Sequence, residues 1–126
     1  MKAIIVDDNP RTRVIIRDLL ENAGITVSFE ATDGAEALKL ITATQPDISI
    51  LDTNIPILSG IKVTEILRKK KYDGIIVVVA DKNASFYGKR SVNAGANAFI
   101  NKKESIRDII SAIEAAQNGY CYFPFY

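Results

Sequence analysis

Two adjacent acids, Asp7 and Asp8, end the first apolar run of the chain, Lys2–Val6. A third acid, Asp52, ends the run Ile48-Ser49-Ile50-Leu51, and Lys102 follows Ala98-Phe99-Ile100-Asn101. Apolar runs that each stop at a charged residue suggest buried parallel strands whose ends meet on one edge of a sheet. Three carboxylates brought together repel one another unless a cation sits among them. That chemistry is a magnesium site beside a reactive aspartate. An aspartate can attack phosphorus and become an acyl phosphate. The transfer needs mainly positioning and neutralisation of oxygen charge. In this reading Asp52 is the nucleophile and Asp8 ligates the metal directly. Asp7 ligates it too or holds a metal-bound water. Lys102 pairs with Asp52 when the site is empty and with the phosphoryl group when it is loaded.

The chain of 126 residues is one domain by size, and its apolar share of 48% is enough for a sizeable core. Its net charge of +1 gives no global pull toward nucleic acid or acidic lipid. There is no histidine, which excludes a Ser-His-Asp triad, a histidine base and a histidine-ligated zinc site within the chain. The lone Cys121 has no internal disulfide partner, so a reducing cytoplasm is expected. The longest apolar stretch, Ile75–Ala80, is too short to span a bilayer, and charges interrupt the N-terminus before a signal peptide could form.

Apolar runs alternate with amphipathic stretches. Strands are expected at 2–6, 25–31, 47–51, 75–79 and 97–100. Helix 1 opens with Asn9 as N-cap and Pro10 in the first turn, buries Val14, Ile15, Leu19 and Ala23, and stops at Gly24. Helix 2 is capped by Asp33 and turns Ala37, Leu38 and Ile41 inward. Helix 3 follows Gly60, with Val63, Ile66 and Leu67 inward. Helix 4 ends at Gly95. Helix 5 spans 104–117, with Ile106, Ile109, Ile110 and Ile113 at i, i+3, i+4 and i+7. Five strand–helix units in order imply an α/β fold, a parallel sheet covered by helices on both faces. Ligands in such folds bind at the carboxyl ends of the strands, where the strand order reverses. Asp7, Asp8, Asp52, Ala80 and Lys102 all fall there. The basic run Arg68-Lys69-Lys70-Lys71 reads as a solvated helix C-terminus rather than a nucleic-acid patch. Phe86-Tyr87 with Lys89-Arg90 reads as an exposed face of helix 4, unless Phe86 is buried.

With these residues in place, the chain resembles the receiver domain of two-component response regulators along its whole length. The markers are Asp7-Asp8, Asp52-Thr53-Asn54-Ile55-Pro56 with Gly60, and Ala94-Gly95-Ala96 before Phe99 and Lys102. Lys103 after Lys102, and the ending Asn118-Gly119-Tyr120-Cys121-Tyr122-Phe123-Pro124-Phe125, are similar to regulators of the EvgA and BvgA type, which carry a LuxR/NarL-type DNA-binding domain. The resemblance implies a flavodoxin-like, CheY-like doubly wound fold with strand order 2-1-3-4-5. It implies a bacterial phosphoprotein that takes a phosphoryl group from a sensor histidine kinase or phosphotransfer domain onto Asp52. Magnesium would be held by Asp7, Asp8, Asp52 and the backbone carbonyl of Asn54. Phe99 occupies the aromatic switch position. The phosphorylated state would shift the helix 4–strand 5–helix 5 surface to control transcription. The protein is then a signalling regulator rather than an enzyme, with self-phosphorylation and autodephosphorylation its only chemistry. A homodimer is implied, with DNA contacted only through an effector domain and no membrane contact.

Two positions depart from the family pattern. Ala80 stands where a Ser or Thr usually donates to the phosphoryl group, and Asp81 stands where a small residue usually leaves the pocket open. The expectation is a domain whose switching is weaker than usual. The alternative is a degenerate receiver acting as a constitutive dimerisation or docking module. A magnesium-dependent phosphatase would carry a second acid two residues after its nucleophile, where this chain has Asn54. An FMN carrier would need a phosphate loop after strand 1, where Asp7-Asp8 would repel the ligand. Five of the ten aromatic residues lie within positions 120–126. Residues 1–119 are therefore read as the receiver. Residues 120–126 are read as an aromatic tail or the start of a linker to an absent effector domain.

Overall fold

The computed structural model describes residues 1–81 and 84–123. The tail residues 124–126, and Lys82 beside the departures at 80 and 81, lie outside the described residues. The elements run β1 (Lys2–Val6), α1 (Pro10–Asn22), β2 (Thr26–Ala31), α2 (Gly34–Thr44), β3 (Ile48–Asp52), α3 (Gly60–Lys69), β4 (Ile75–Ala80), α4 (Ala84–Ala94) and β5 (Ala98–Asn101). The fifth helical stretch is in pieces: α5 (Lys102–Ser105), a 3-10 turn at Ile106–Asp108, and α6 (Ile109–Gln117). It therefore begins two residues earlier than its apolar spacing suggests. The strands form one parallel sheet in the order β2-β1-β3-β4-β5. The order reverses between β1 and β3, so Asp7, Asp8 and Asp52 stand at the switch point.

Strand alternation divides the core in two. Ile4, Val6, Leu51, Val78, Ala80 and Phe99 face α2, α3 and α4. Ala3, Ile5, Ile50, Val77, Val79 and Ile100 face α1 and α6. The central strands β3 and β4 are buried along almost their whole length, as continuous Ile/Val/Leu runs require when both faces are covered.

Helix α1 lies on the sheet with a different face from the expected one. Ile16 and Leu20 are buried, whereas Val14 is 57% and Ile15 49% exposed. Both apolar sets fit a 3.6-residue period, and a polar contact selects between them. Arg13 must point at β1 and β2, where its Nη1 donates to the Asp7 carbonyl (2.8 Å) and its Nε to Glu30 Oε1 (3.0 Å). That rotation carries Val14 and Ile15 to the outside.

Arg68 is also not solvated. Its Nε donates to the Gly95 carbonyl (2.8 Å), its Nη1 to the carbonyls of Tyr72 (2.7 Å) and Gly74 (2.9 Å), and its Nη2 to Asn97 Oδ1 (2.8 Å). One guanidinium thus ties α3 to the loops entering β4 and β5. The rest of the basic run, Lys69 to Lys71, is exposed.

The described part of the tail, residues 120–123, folds back along the edge of β5. Tyr122 N donates to the Asn97 carbonyl (2.9 Å), Phe99 N donates to the Tyr122 carbonyl (3.0 Å), and Tyr122 bridges Ala98 in parallel. Tyr122 and Phe123 pack against opposite halves of the core. Tyr120 remains 70% exposed.

The loop after β3 contains a γ-turn, in which Leu58 N donates to the Pro56 carbonyl (2.8 Å) around Ile57 at φ +73°. A β-branched residue is strained there, and Ile57 is 76% exposed, so little burial offsets the strain. Replacing Ile57 by Asn is expected to stabilise the fold by about 1 kcal/mol in urea denaturation. Arg68→Lys, which keeps the charge but not the planar fork, is expected to destabilise it by about 2–4 kcal/mol in the same measurement.

Candidate metal and phosphoryl site

Each acid is held by its local backbone. Asp7 N donates to the Ala31 carbonyl (3.1 Å), which prolongs the β1–β2 ladder by one residue. Asp7 Oδ1 accepts from Asn9 N (2.8 Å), and Asn9 Oδ1 accepts from Arg11 N (2.9 Å), starting α1 with Pro10 in its first turn. Asp8 sits at the apex of this corner and is exposed, while Asp7 is buried. Asp52 is the last residue of β3 and only 3% exposed. The start of α3 presses on its backbone: a Cβ at Gly60 would stand 2.3 Å from the Asp52 carbonyl oxygen, so only glycine fits. Lys102 opens α5. Asn101 caps that helix through Oδ1, which accepts from Lys103 N (3.0 Å) and Glu104 N (3.2 Å).

These corners bring the expected residues together. Lys102 Nζ lies 2.7 Å from Asp7 Oδ2 and 3.2 Å from Asp52 Oδ1. The ammonium thus bridges both carboxylates and sits nearer to Asp7, where the sequence suggested Asp52 alone. Asp7, Asp8 and Asp52 each offer a carboxylate oxygen, all within 4.8 Å of one another. Among the described residues Asp7 Oδ2 is the one buried side-chain atom without a hydrogen bond, its contact with Lys102 being an ion pair of poor hydrogen-bond alignment. A buried oxygen left in that condition, among hard oxygen donors, fits a hard divalent cation. Asp81 is exposed and is not part of the Asp7, Asp8 and Asp52 cluster. Ala80 is buried at the end of β4 beside Asn101, and Phe99 is fully buried. Phe86 is 51% exposed, with the Arg90 guanidinium 5.2 Å from its ring centre.

The electrostatics follow from this crowding. Burial, and then the neighbouring Asp7 charge, push the Asp52 carboxyl up from 3.8 to about 6, against the pull of Lys102 and a hydrogen bond from the Asn54 backbone. Burial alone would lower the Lys102 ammonium, but its contacts with Asp7 and Asp52 outweigh that and raise it. Sequence reasoning missed Arg13 and Asn101 as supports of the site. The cap at Asn101 had a readable signal, Asn followed by Lys-Lys-Glu. Arg13 had none, because its partners are set by strand pairing.

A sequence model of the response regulator receiver domain matches residues 3–114. The chain belongs to this family. It is 51% identical over 125 residues to the DNA-binding transcriptional activator EvgA of Escherichia coli K12, covering 99% of this chain and 61% of that protein. It is 33% identical over 123 residues to the positive transcription regulator BvgA of Bordetella pertussis, covering 98% of this chain and 59% of that one. The chain thus spans about three-fifths of the length of these relatives. A LuxR-family response regulator from Aurantimonas superposes with TM-score 0.90 at 30% identity, covering 98% of this chain and 89% of that one. The receiver domain of NarL from Mycobacterium tuberculosis superposes at 0.86 and 27%, covering 94% and 96%. The parallel α/β sheet expected from the residue pattern, and the CheY-like strand order that the family resemblance implies, are the fold observed.

The raised Asp52 carboxyl makes a pH dependence. Its folded value lies above its unfolded one, so ionised Asp52 opposes folding above about pH 6. Below about pH 4 the group is protonated in both states and the opposition disappears. In metal-free buffer, Asp52→Asn is expected to be more stable than the parent at pH 8, by up to about 3 kcal/mol. That gain should shrink to nothing near pH 4, as followed by urea denaturation across the range.

Proposed function

We propose that this receiver domain accepts a phosphoryl group on Asp52 from a histidine kinase or phosphotransfer domain, with magnesium as its cofactor. The observation that carries the reading is the Lys102 ammonium bridging Asp7 and Asp52 within a triad of carboxylates at the sheet's switch point. Asp8 and Asp52 would hold magnesium with the Asn54 backbone carbonyl, and Asp7 would ligate it or hold one of its waters. When bound, the ion neutralises charge on the phosphoryl oxygens. An Asp52 carboxylate oxygen attacks the phosphorus of a phosphohistidine in line. The P–O bond forms as the P–N bond breaks, and the imidazole, protonated at its other nitrogen, leaves neutral. Lys102 then turns from Asp7 toward the acyl phosphate, whose new negative oxygens lie within reach of its flexible stem.

The chain covers 61% of EvgA, a DNA-binding activator, which supports an effector domain that would contact DNA in the full-length protein; a homodimer is the assembly proposed with it. Among the described residues no helix is long and apolar enough to cross a membrane, which is consistent with a cytoplasmic regulator. A constitutive docking module is the less supported reading, since Asp7, Asp8, Asp52 and Lys102 are brought together at one end of the sheet. Incubation with acetyl phosphate and magnesium, followed by intact-mass measurement, tests the proposal. One added phosphoryl group is expected in the parent, lost without magnesium and in Asp52→Ala. No gain in the parent, or an equal gain in Asp52→Ala, would contradict it.

A further inference from the structure

A phosphoryl group on Asp52 would meet Lys102 on its β5 side. On its β4 side stands Ala80, whose methyl group has nothing to donate. The β3–β4 ladder shows where a donor could come from instead. Asp52 pairs with Val79, and Thr53 N donates to the Val79 carbonyl (2.9 Å), which brings Thr53 alongside Ala80. Leu51 packs on the sheet face that holds Val78, Ala80 and Phe99. Thr53 follows the last residue of β3, and its amide continues the ladder to β4. It is only 9% exposed. Among the described residues its hydroxyl has no hydrogen-bond partner, yet it is not sealed in, since the fully buried side-chain oxygen without a hydrogen bond is Asp7 Oδ2. A hydroxyl on a largely buried side chain next to Asp52, with no partner among the described residues, is free to donate to an arriving oxygen.

We propose that the Thr53 hydroxyl donates a hydrogen bond to a phosphoryl oxygen on Asp52, supplying from β3 the group that Ala80 lacks on β4. The proposal rests on Asp52 being the phosphoacceptor. It makes this receiver's switching depend on a hydroxyl one strand away from the position where the family pattern places it.

The test is the magnesium-dependent affinity of the whole chain for beryllofluoride, measured beside the affinity for magnesium alone. Thr53→Val replaces the hydroxyl with a methyl of nearly the same volume. It is expected to weaken beryllofluoride binding about ten- to a hundredfold, as loss of one charge-assisted hydrogen bond would. Magnesium affinity should stay unchanged. Thr53→Ser should bind as the parent does, and Ala80→Ser added to Thr53→Val should restore most of the loss. If Thr53→Val does not fold, Thr53→Ala serves with the same readouts. Parent-like binding by the hydroxyl-free variant would overturn the proposal. So would equal losses in Thr53→Val and Thr53→Ser, which would make Thr53 a packing residue. A parent that binds no beryllofluoride and gains no mass with acetyl phosphate would overturn both this proposal and the phosphoacceptor reading. A parent that does both confines any failure to Thr53.

Discussion

Three carboxylates against one ammonium is the imbalance that the rest of this structure holds in place. Two unit charges at the separation found here repel by about 3–4 kcal/mol at an effective dielectric of about 20. Lys102 answers two of the three acids directly. Burial first, and then the charge of Asp7, hold the Asp52 carboxyl up, and Asp7 Oδ2 is left without a hydrogen bond. A site left in this condition has unspent affinity for positive charge. The same condition suits it to phosphoryl chemistry, because a cation that enters to relieve the acids also neutralises the oxygens of an incoming phosphoryl group.

The scaffold keeps the acids from relaxing apart. Asp7 is tied at its amide to β2, at its carbonyl to Arg13 and at Oδ1 to Asn9. Asp52 ends a buried strand, and α3 begins against its carbonyl at Gly60. Lys102 starts a short helix that Asn101 caps. Each of these supports has a backbone group on at least one side and is made at a strand end, so sheet register sets much of its geometry. At the opposite end of the sheet Arg68 does comparable work, gathering three carbonyls from two loops around one guanidinium. The chain beyond α6 closes the β5 edge, with Tyr122 and Phe123 reaching into the two halves of the core. This gives residues 120–123 a structural role in the domain whatever follows them.

The fold and the charged centre were legible in the sequence because each strand is an apolar run and each site residue interrupts one. Asp7, Asp8, Asp52 and Lys102 could be read without coordinates, since parallel strands put their carboxyl ends on one edge. The orientation of α1 could not be read so directly. Val14 with Ile15 and Leu19, or Ile16 with Leu20, satisfy the same periodicity, and the Arg13 contacts that decide between them come from a carbonyl and a distant strand. Arg68 was hidden in a run of four cations, since nothing local distinguishes it from Lys69. Its partners Gly95 and Asn97 are brought near only when β5 joins β4. The closeness of Lys102 to Asp7 likewise depends on how α5 starts, one residue after β5 ends.

The central claim is that the acids are held together in readiness for one divalent cation. Its most direct test is the thermal midpoint of the parent chain as magnesium is added at constant ionic strength, beside Asp8→Asn. The account predicts a saturable one-site rise in the parent, largely abolished in the variant. A midpoint that does not move with magnesium, or that moves equally in both proteins, would contradict it.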